Sequence, residues 1–503
     1  MKLHAFGHSS FYLEIDSPAG EPVHILGDPW LSDTVIGDLM GRYPRVRWAG
    51  EIPPIDAIYL SHSHTDHLDP YSLVALWKQL ESPPALLLPQ SLAYLIPLFT
   101  EYLPGGEAIV LNEHEPVEFR GLAIRGLFNP ETRGTNEDDV MMLLVENGRE
   151  LFLGEADAVV PYGDPDTRAM VASLLEENPE LETACFLAIK NELHVLMASV
   201  HAQSVDERMQ LVMGALTDTE EEIRETFYPF SEEDDLWHDP RVVRLIGGQG
   251  ICFPQALGTE WNRVLFPFPL SARAERERQV AAEQGLTVNA QAFEPGSAYE
   301  VSGGQCSEEK SPWLELLDTP DDIAYDPKRE LFESFPDAPL RARSVAADYF
   351  EPRLLQVLNE RFLPWWTGRR MPPVEHLLSA YEGQYRIRVR FGQEPEGHNG
   401  HGPERDYRVT FDNLRFHPAP VAGDAQEVYW ASDLEDYLDG RCDDFSTFCR
   451  RPAGGDATHL WDCLGMPYLN NDLVEKKLKY HFERASAGGS IDEWVLAFYD
   501  FLR

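Results

Sequence analysis

The run Ile55-Asp56-Ala57-Ile58-Tyr59-Leu60 reads as a short buried strand, and it leads directly into Ser61-His62-Ser63-His64-Thr65-Asp66-His67-Leu68-Asp69. Three histidines and one aspartate therefore fall within six positions. The backbone turns just after a strand, so alternate side chains there converge on one point instead of splaying to opposite faces. His62 and His64 are placed to grip one cation, and Asp66 and His67 face a second. Imidazole and carboxylate donors suit zinc, manganese or iron, and three or four of them leave a position for water, whose pKa a bound cation lowers toward ~7. Asp66 is the candidate catalytic residue. A polar surface loop would explain two histidines, but it fits poorly with four ligand-type residues closing an apolar strand.

The rest of the chain frames this loop. Its 503 residues exceed one ordinary core, so two or three domains are expected. Phe11–Ile15 and Val23–Leu26 read as paired strands around Pro18-Ala19-Gly20. A helix is expected from about Tyr71 to Leu80. Val140–Val145 and Glu150–Leu153 flank Asn147-Gly148, the strongest short hairpin signal. Residues 192 to 227 turn helical, and Val242–Ile246 returns to strand character before Gly247-Gly248-Gln249-Gly250. Strands alternating with helices imply an α/β layered sheet. The polar, glycine-containing segment 293–312 is read as a linker, separating a metal-binding domain over 1–292 from an α+β accessory domain over 313–503. Within the latter, Val345–Phe362 and the stretch from Asp472 to Arg484 read as helices, and Tyr385–Phe391 as an alternating strand.

Composition excludes several classes. With 42 basic against 85 acidic residues the net charge is −43, and no basic cluster offers a surface for nucleic acid or anionic membranes. No apolar run approaches the ~20 residues that span a bilayer, and the N-terminus has no signal-peptide core, so the cytoplasm is the expected location. Six cysteines without a Cys-x-x-Cys pair make neither a disulfide scaffold nor a standard zinc site.

His62-x-His64-x-Asp66-His67 resembles the metal-binding motif of the metallo-β-lactamase fold superfamily. Gly7-His8-Ser9-Ser10-Phe11 and Gly27-Asp28-Pro29-Trp30-Leu31 are similar to the branch that holds L-ascorbate-6-phosphate lactonases and N-acylphosphatidylethanolamine phospholipase D. Together with Asp69-Pro70-Tyr71-Ser72-Leu73 they also resemble the corresponding domain of CMP-N-acetylneuraminate hydroxylase. The resemblance covers roughly residues 1 to 260 and implies a four-layer αββα metallo-β-lactamase-like sandwich carrying one or two divalent transition metals. It also implies that Asp28 supports the histidine loop from behind the ligands.

The chain departs from that pattern elsewhere. Where the superfamily supplies a further histidine, Gly126-Leu127-Phe128-Asn129-Pro130-Glu131-Thr132 offers Asn129 in the usual place and Glu131 as the nearest strong ligand. Leu153-Gly154-Glu155-Ala156-Asp157 ends a strand in two carboxylates, either of which fills the bridging role. No histidine follows Val242–Ile246. His194 and His201 lie in a helical stretch and read as packing residues.

Hydrolysis is the first expectation: a hydroxide on the metal attacking a phosphoester, lactone or amide. The alternative is oxygenation by two ferrous ions, because a glutamate in place of a histidine resembles the di-iron β-hydroxylase of chloramphenicol biosynthesis. That reading requires an external electron donor, since the chain lacks Rieske ligands. A third reading is a degenerate, non-catalytic metal-binding or scaffold protein. The expected partner is a small-molecule substrate, and a homo-oligomer is compatible with the sequence.

Overall fold

The structure is a computed structural model. It describes residues 1–33, 41–42, 44–113, 115–128, 140–157, 165–176, 178–190, 206, 210, 220–227, 236–248, 251–252, 270–317, 343–368, 378–392, 403–444, 447, 451–452, 455, 457–466 and 469–489.

Two sheets lie face to face. The first has eight strands in the order Gln305–Lys310, Ser297–Ser302, Lys2–Gly7, Ser10–Asp16, Pro22–Gly27, Ala57–Tyr59, Ala85–Pro89 and Ala108–Leu111. The second has seven: Ala290–Ala292, Val242–Gly248, Thr183–Lys190, Glu150–Gly154, Met141–Glu146, Leu122–Phe128 and Val117–Phe119. Side chains alternate across each strand, so a sheet covered on both faces needs apolar residues at consecutive positions. Leu87 points into the core between the sheets with Leu13, Ile25, Leu143, Val145, Phe152 and Leu245. Its neighbours Leu86 and Leu88 turn outward to the helices Pro70–Gln79 and Ile96–Tyr102. On the far side, Leu151 and Leu153 meet the helices Pro165–Glu176 and Leu270–Glu283. The result is an αββα sandwich.

Asn147-Gly148 makes the hairpin its sequence indicates. Gly148 sits at φ 87°, and the Asn147 side-chain oxygen accepts from the backbone N–H groups of Arg149 and Glu150 at 2.9 and 2.7 Å.

The segment expected as a linker is instead part of the first sheet. Ser297–Ser302 pairs with Lys2–Gly7, placing Tyr299 opposite Leu3, and Gln305–Lys310 pairs with it in turn. Gly303 and Gly304, at φ 54° and 69°, form the tight turn between these strands. The composition looks linker-like because Gln305–Lys310 is an exposed edge strand, which natural sheets keep polar.

The later part of the chain builds a four-stranded sheet in the order Asn413–Ala419, Glu404–Thr410, Gln384–Arg390 and Glu427–Trp430. Tyr385, Ile387 and Val389 face a separate core under the helices Ala347–Val357 and Leu363–Gly368. The intervening Arg388 and Arg390 pair with Asp406 and Glu404 on the neighbouring strand. This α+β unit is tied to the sandwich by the helix Asn471–Ser486, whose Leu478, Phe482 and Ala485 join the apolar layer over the first sheet. Among the described residues, no helix is long and apolar enough to cross a membrane.

His481 lies at that junction, fully buried, with Nδ1 at 3.0 Å from the Tyr71 hydroxyl and Nε2 at 3.3 Å from the Arg441 carbonyl. Burial pushes its pKa down to about 3; Lys477 and Arg484 push the same way, against the Arg441 carbonyl and Asp443. The imidazole is therefore neutral in the folded protein and protonates near pH 6.5 only when the chain unfolds. Stability should fall as pH drops from about 6.5 toward 3, by about 1.4 kcal/mol per pH unit from this group. Unfolding free energies from urea titrations between pH 6.5 and 5 should fall more steeply in the wild type than in His481→Gln. Equal slopes would contradict the assignment.

Candidate metal centre

Four loops converge at one end of the sandwich, each leaving a strand there. Ala57–Tyr59 runs into the histidine loop, which folds into a turn as the N–H groups of His67 and Leu68 both donate to the His64 carbonyl. Asp69 then caps the helix Pro70–Gln79, accepting from the N–H groups of Tyr71 and Ser72. Pro22–Gly27 delivers Asp28, Lys2–Gly7 delivers His8, and Glu150–Gly154 delivers Glu155 and Asp157. The Tyr59 hydroxyl donates to the Met141 carbonyl, bonding one sheet to the other directly beneath the loop.

Three residues here hold left-handed backbone conformations that side chains with a Cβ disfavour: His8 at φ 51°, Asp28 at φ 40° and Ala156 at φ 50°. Such strain is tolerated where surrounding contacts over-determine it, and it collects at functional sites.

The donor atoms form two groups that share one carboxylate. His8, Asp66, His67 and Asp157 bring one ligand atom each within 4.8 Å of one another, and so do His62, His64 and Asp157. His67 Nε2 lies 2.9 Å from Asp157 Oδ2 and 3.3 Å from His8 Nε2. His8 Nε2 lies 3.0 Å from Asp66 Oδ2. Ser9 also reaches Asp157, donating at 3.3 Å. Asp28 stands behind the loop: Oδ2 takes His67 Nδ1 at 2.8 Å and the Ser61 hydroxyl at 2.6 Å, and Oδ1 takes the Ser61 N–H at 2.8 Å. Its bond to Nδ1 leaves Nε2 of His67 aimed into the centre.

The residues fit a divalent cation. His62 Nε2 is buried and has no hydrogen-bond partner among the described residues, whereas its Nδ1 meets the Ser61 hydroxyl at 2.9 Å. An orphaned buried nitrogen costs about 1–3 kcal/mol, which coordination would relieve. Burial, followed by neighbouring His67 and His64, holds the His62 pKa well below the usual histidine value, so its lone pair is available. Burial also opposes charge on His67, but Asp157, Asp66 and Asp28 outweigh it and raise that pKa well above the usual value. Asp66 and Asp157 stay ionised despite burial because His67 and His8 lie against them. The centre thus carries excess negative charge, which a cation would balance. His64 and Asp157 are its partly exposed members.

Of the residues singled out from sequence, the structure brings His62, His64, Asp66, His67 and Asp157 together, with Asp28 behind them. Glu155 belongs to neither donor group. It is fully buried on the far side of Ala156, with Oε1 3.6 Å from Arg244 Nη1. The left-handed turn at Ala156 sends these two acids in different directions. Glu131, Asn129, His194, His201, Gln249 and Gly250 lie outside the described residues. His8 is the donor that sequence reasoning misses. The only sequence signal is its place in Gly7-His8-Ser9-Ser10-Phe11, whose resemblance is given above; its approach to Gly248 of the second sheet is visible only in the fold.

No family model matches the chain. Over 76 residues it is 41% identical to uncharacterised proteins of Mycobacterium bovis and Mycobacterium tuberculosis, which is 14% of this chain and 19% of theirs. The match thus spans about a fifth of the length of those curated relatives. Among solved structures, the chain is similar to CmlA, a diiron β-hydroxylase from Streptomyces venezuelae, at 13% identity and a TM-score of 0.35, over 62% of this chain and 54% of that one. It is also similar to the metallo-β-lactamase fold protein YhfI from Bacillus subtilis, at 13% identity and a TM-score of 0.29, over 59% of this chain and 99% of that one.

Proposed function

We propose that this chain is a metal-dependent hydrolase of a small-molecule phosphoester, lactone or amide. The observation that carries the reading is the pair of donor groups joined through Asp157, with the histidine donors His8, His62 and His67 deeply buried and the rim at His64 and Asp157 open. His62 and His64 would hold one cation, His8, Asp66 and His67 the other, and Asp157 both. When bound, such cations supply Lewis acidity and a nucleophile from water near neutral pH. The chain's own residues orient the reactants. Asp28 fixes the face of the His67 ring, and Ser9 steadies the Asp157 carboxylate. Asp66 stays ionised and faces inward as an acceptor. The acidic balance of the chain favours a small substrate over an anionic polymer.

One observation favours a second reading. Two histidines and one carboxylate, as in His62, His64 and Asp157, are also the donor set of non-haem ferrous oxygenases. In that case an external electron donor is the further partner. Metal analysis of protein purified without chelators, with turnover assays on chromogenic phosphodiesters, lactones and amides, separates the two. Zinc or manganese near two per chain with turnover supports hydrolysis. Iron with an absorption change on exposure to air, and no hydrolysis, supports oxygenation. Less than one metal per chain sinks both and leaves a binding or scaffold role.

A further inference from the structure

Between His64 and Asp66 sits Thr65, whose side chain is buried away from solvent. Its hydroxyl donates to Asp443 Oδ2 at 2.9 Å, across 378 residues of sequence. Lys477 Nζ donates to the same oxygen, also at 2.9 Å. Asp443 comes from the turn beyond the helix Ala431–Leu438, and Lys477 from the helix Asn471–Ser486. All three are buried, and Asp444 is buried beside them. Ser63, His64, Cys442, Asp444 and Lys477 line a small cavity of about 20 Å³ where the histidine loop meets this later part of the chain.

A buried Asp–Lys pair is a poor device for stability alone, because desolvation of both charges offsets their attraction. Its value lies in direction: a fixed ionised oxygen holds a hydroxyl in one orientation. That hydroxyl belongs to the residue separating a donor of one group, His64, from a donor of the other, Asp66. Any slip of the Thr65 backbone would move both donors at once.

We propose that Asp443, held by Lys477, is a positioning residue for the metal centre, acting through Thr65, so that the C-terminal part of the chain completes the geometry of the histidine loop. This rests on the loop binding cations. Groups behind metal ligands typically contribute 10–100-fold to affinity.

The test is titration of the chelator-treated full chain with Co²⁺, following visible absorption, alongside thermal melting. Thr65→Val keeps shape and removes the hydroxyl; it should weaken Co²⁺ binding by about 10–100-fold and alter the absorption bands, with melting little changed. Thr65→Ser should restore affinity to within a few fold of wild type. Asp443→Asn should also weaken binding, and the double variant with Thr65→Val should fall no further than the worse single change. Wild-type affinity and spectrum in Thr65→Val, or equal losses in Thr65→Val and Thr65→Ser, would overturn the proposal while leaving the metal centre intact. Should Thr65→Val fail to fold, Asp443→Asn combined with Lys477→Met, which leaves no unpaired buried charge, decides by the same readout. Absence of Co²⁺ uptake by the wild type would instead overturn the metal reading, and this inference with it.

Discussion

Asp157→Ala should strip the protein of both cations, whereas His8→Ala should leave close to one. Asp157 is the single carboxylate common to the two donor groups, and it lies 2.9 Å from His67 Nε2. Removing it leaves His62 and His64 as a two-histidine set on one side, and His8, Asp66 and His67 with one anionic ligand fewer on the other. Neither remainder carries enough negative charge to offset the cost of dehydrating a dication in so buried a place. His8, by contrast, serves only the group with Asp66 and His67, so its loss spares the His62–His64–Asp157 set. Turnover in Asp157→Ala should drop about a hundred- to a thousandfold, the scale seen when a group stabilising transition-state charge is lost. Elemental analysis of both variants, with melting curves to establish folding, checks this. Full metal content in Asp157→Ala would show that the shared carboxylate is misassigned.

The contrast between His8 and the histidine loop shows what a sequence discloses about such a centre. Four donors within six positions form a local signal, so His62, His64, Asp66 and His67 can be picked out without knowing the fold. His8 is a lone histidine 54 positions before His62, and it becomes a donor only because Lys2–Gly7 ends beside Gly248 of the opposite sheet. Nothing in its neighbours encodes that approach. Periodicity served the layers well for a related reason: the doubly covered strands are apolar at successive positions, and Tyr385–Arg390 alternates with a period of two. It failed at Gly303-Gly304, where a tight turn and a flexible linker share one composition and only the register of Tyr299 against Leu3 tells them apart. The tie from Thr65 to Asp443 was illegible for the same reason, since it spans most of the chain.

Glu155 raises the second large effect, through Arg244. From sequence, Glu155 and Asp157 are interchangeable acids at a strand end. In the fold, Ala156 separates them, and Glu155 begins a chain of alternating charge that is buried as far as Arg273. Its Oε1 lies 3.6 Å from Arg244, whose Nε donates to Glu277 at 2.8 Å. Arg273 continues from Glu277 at 3.6 Å to Glu222 at 2.9 Å, and Lys190 closes on Glu222 at 2.7 Å. Arg244 also stacks its guanidinium over Trp237, 5.4 Å from the ring centroid. Replacing Arg244 by Met keeps much of the apolar stem but leaves Glu155 and Glu277, both fully buried, without the cation between them. Breaking a buried ion pair from one side costs about 3–5 kcal/mol, because the remaining charge has no water to return to. Arg244→Met should therefore lower unfolding free energy by that amount in urea titrations, whereas Arg244→Met combined with Glu155→Gln and Glu277→Gln should recover a large part of it. A loss below about 1 kcal/mol in the single variant would mean that the chain of charges is not load-sharing as described. Glu155→Gln alone should keep its full metal content, because this carboxylate faces Arg244 rather than the histidines. If it instead loses a cation, Glu155 is a ligand, and the left-handed turn at Ala156 does not divide the two acids as the structure has it.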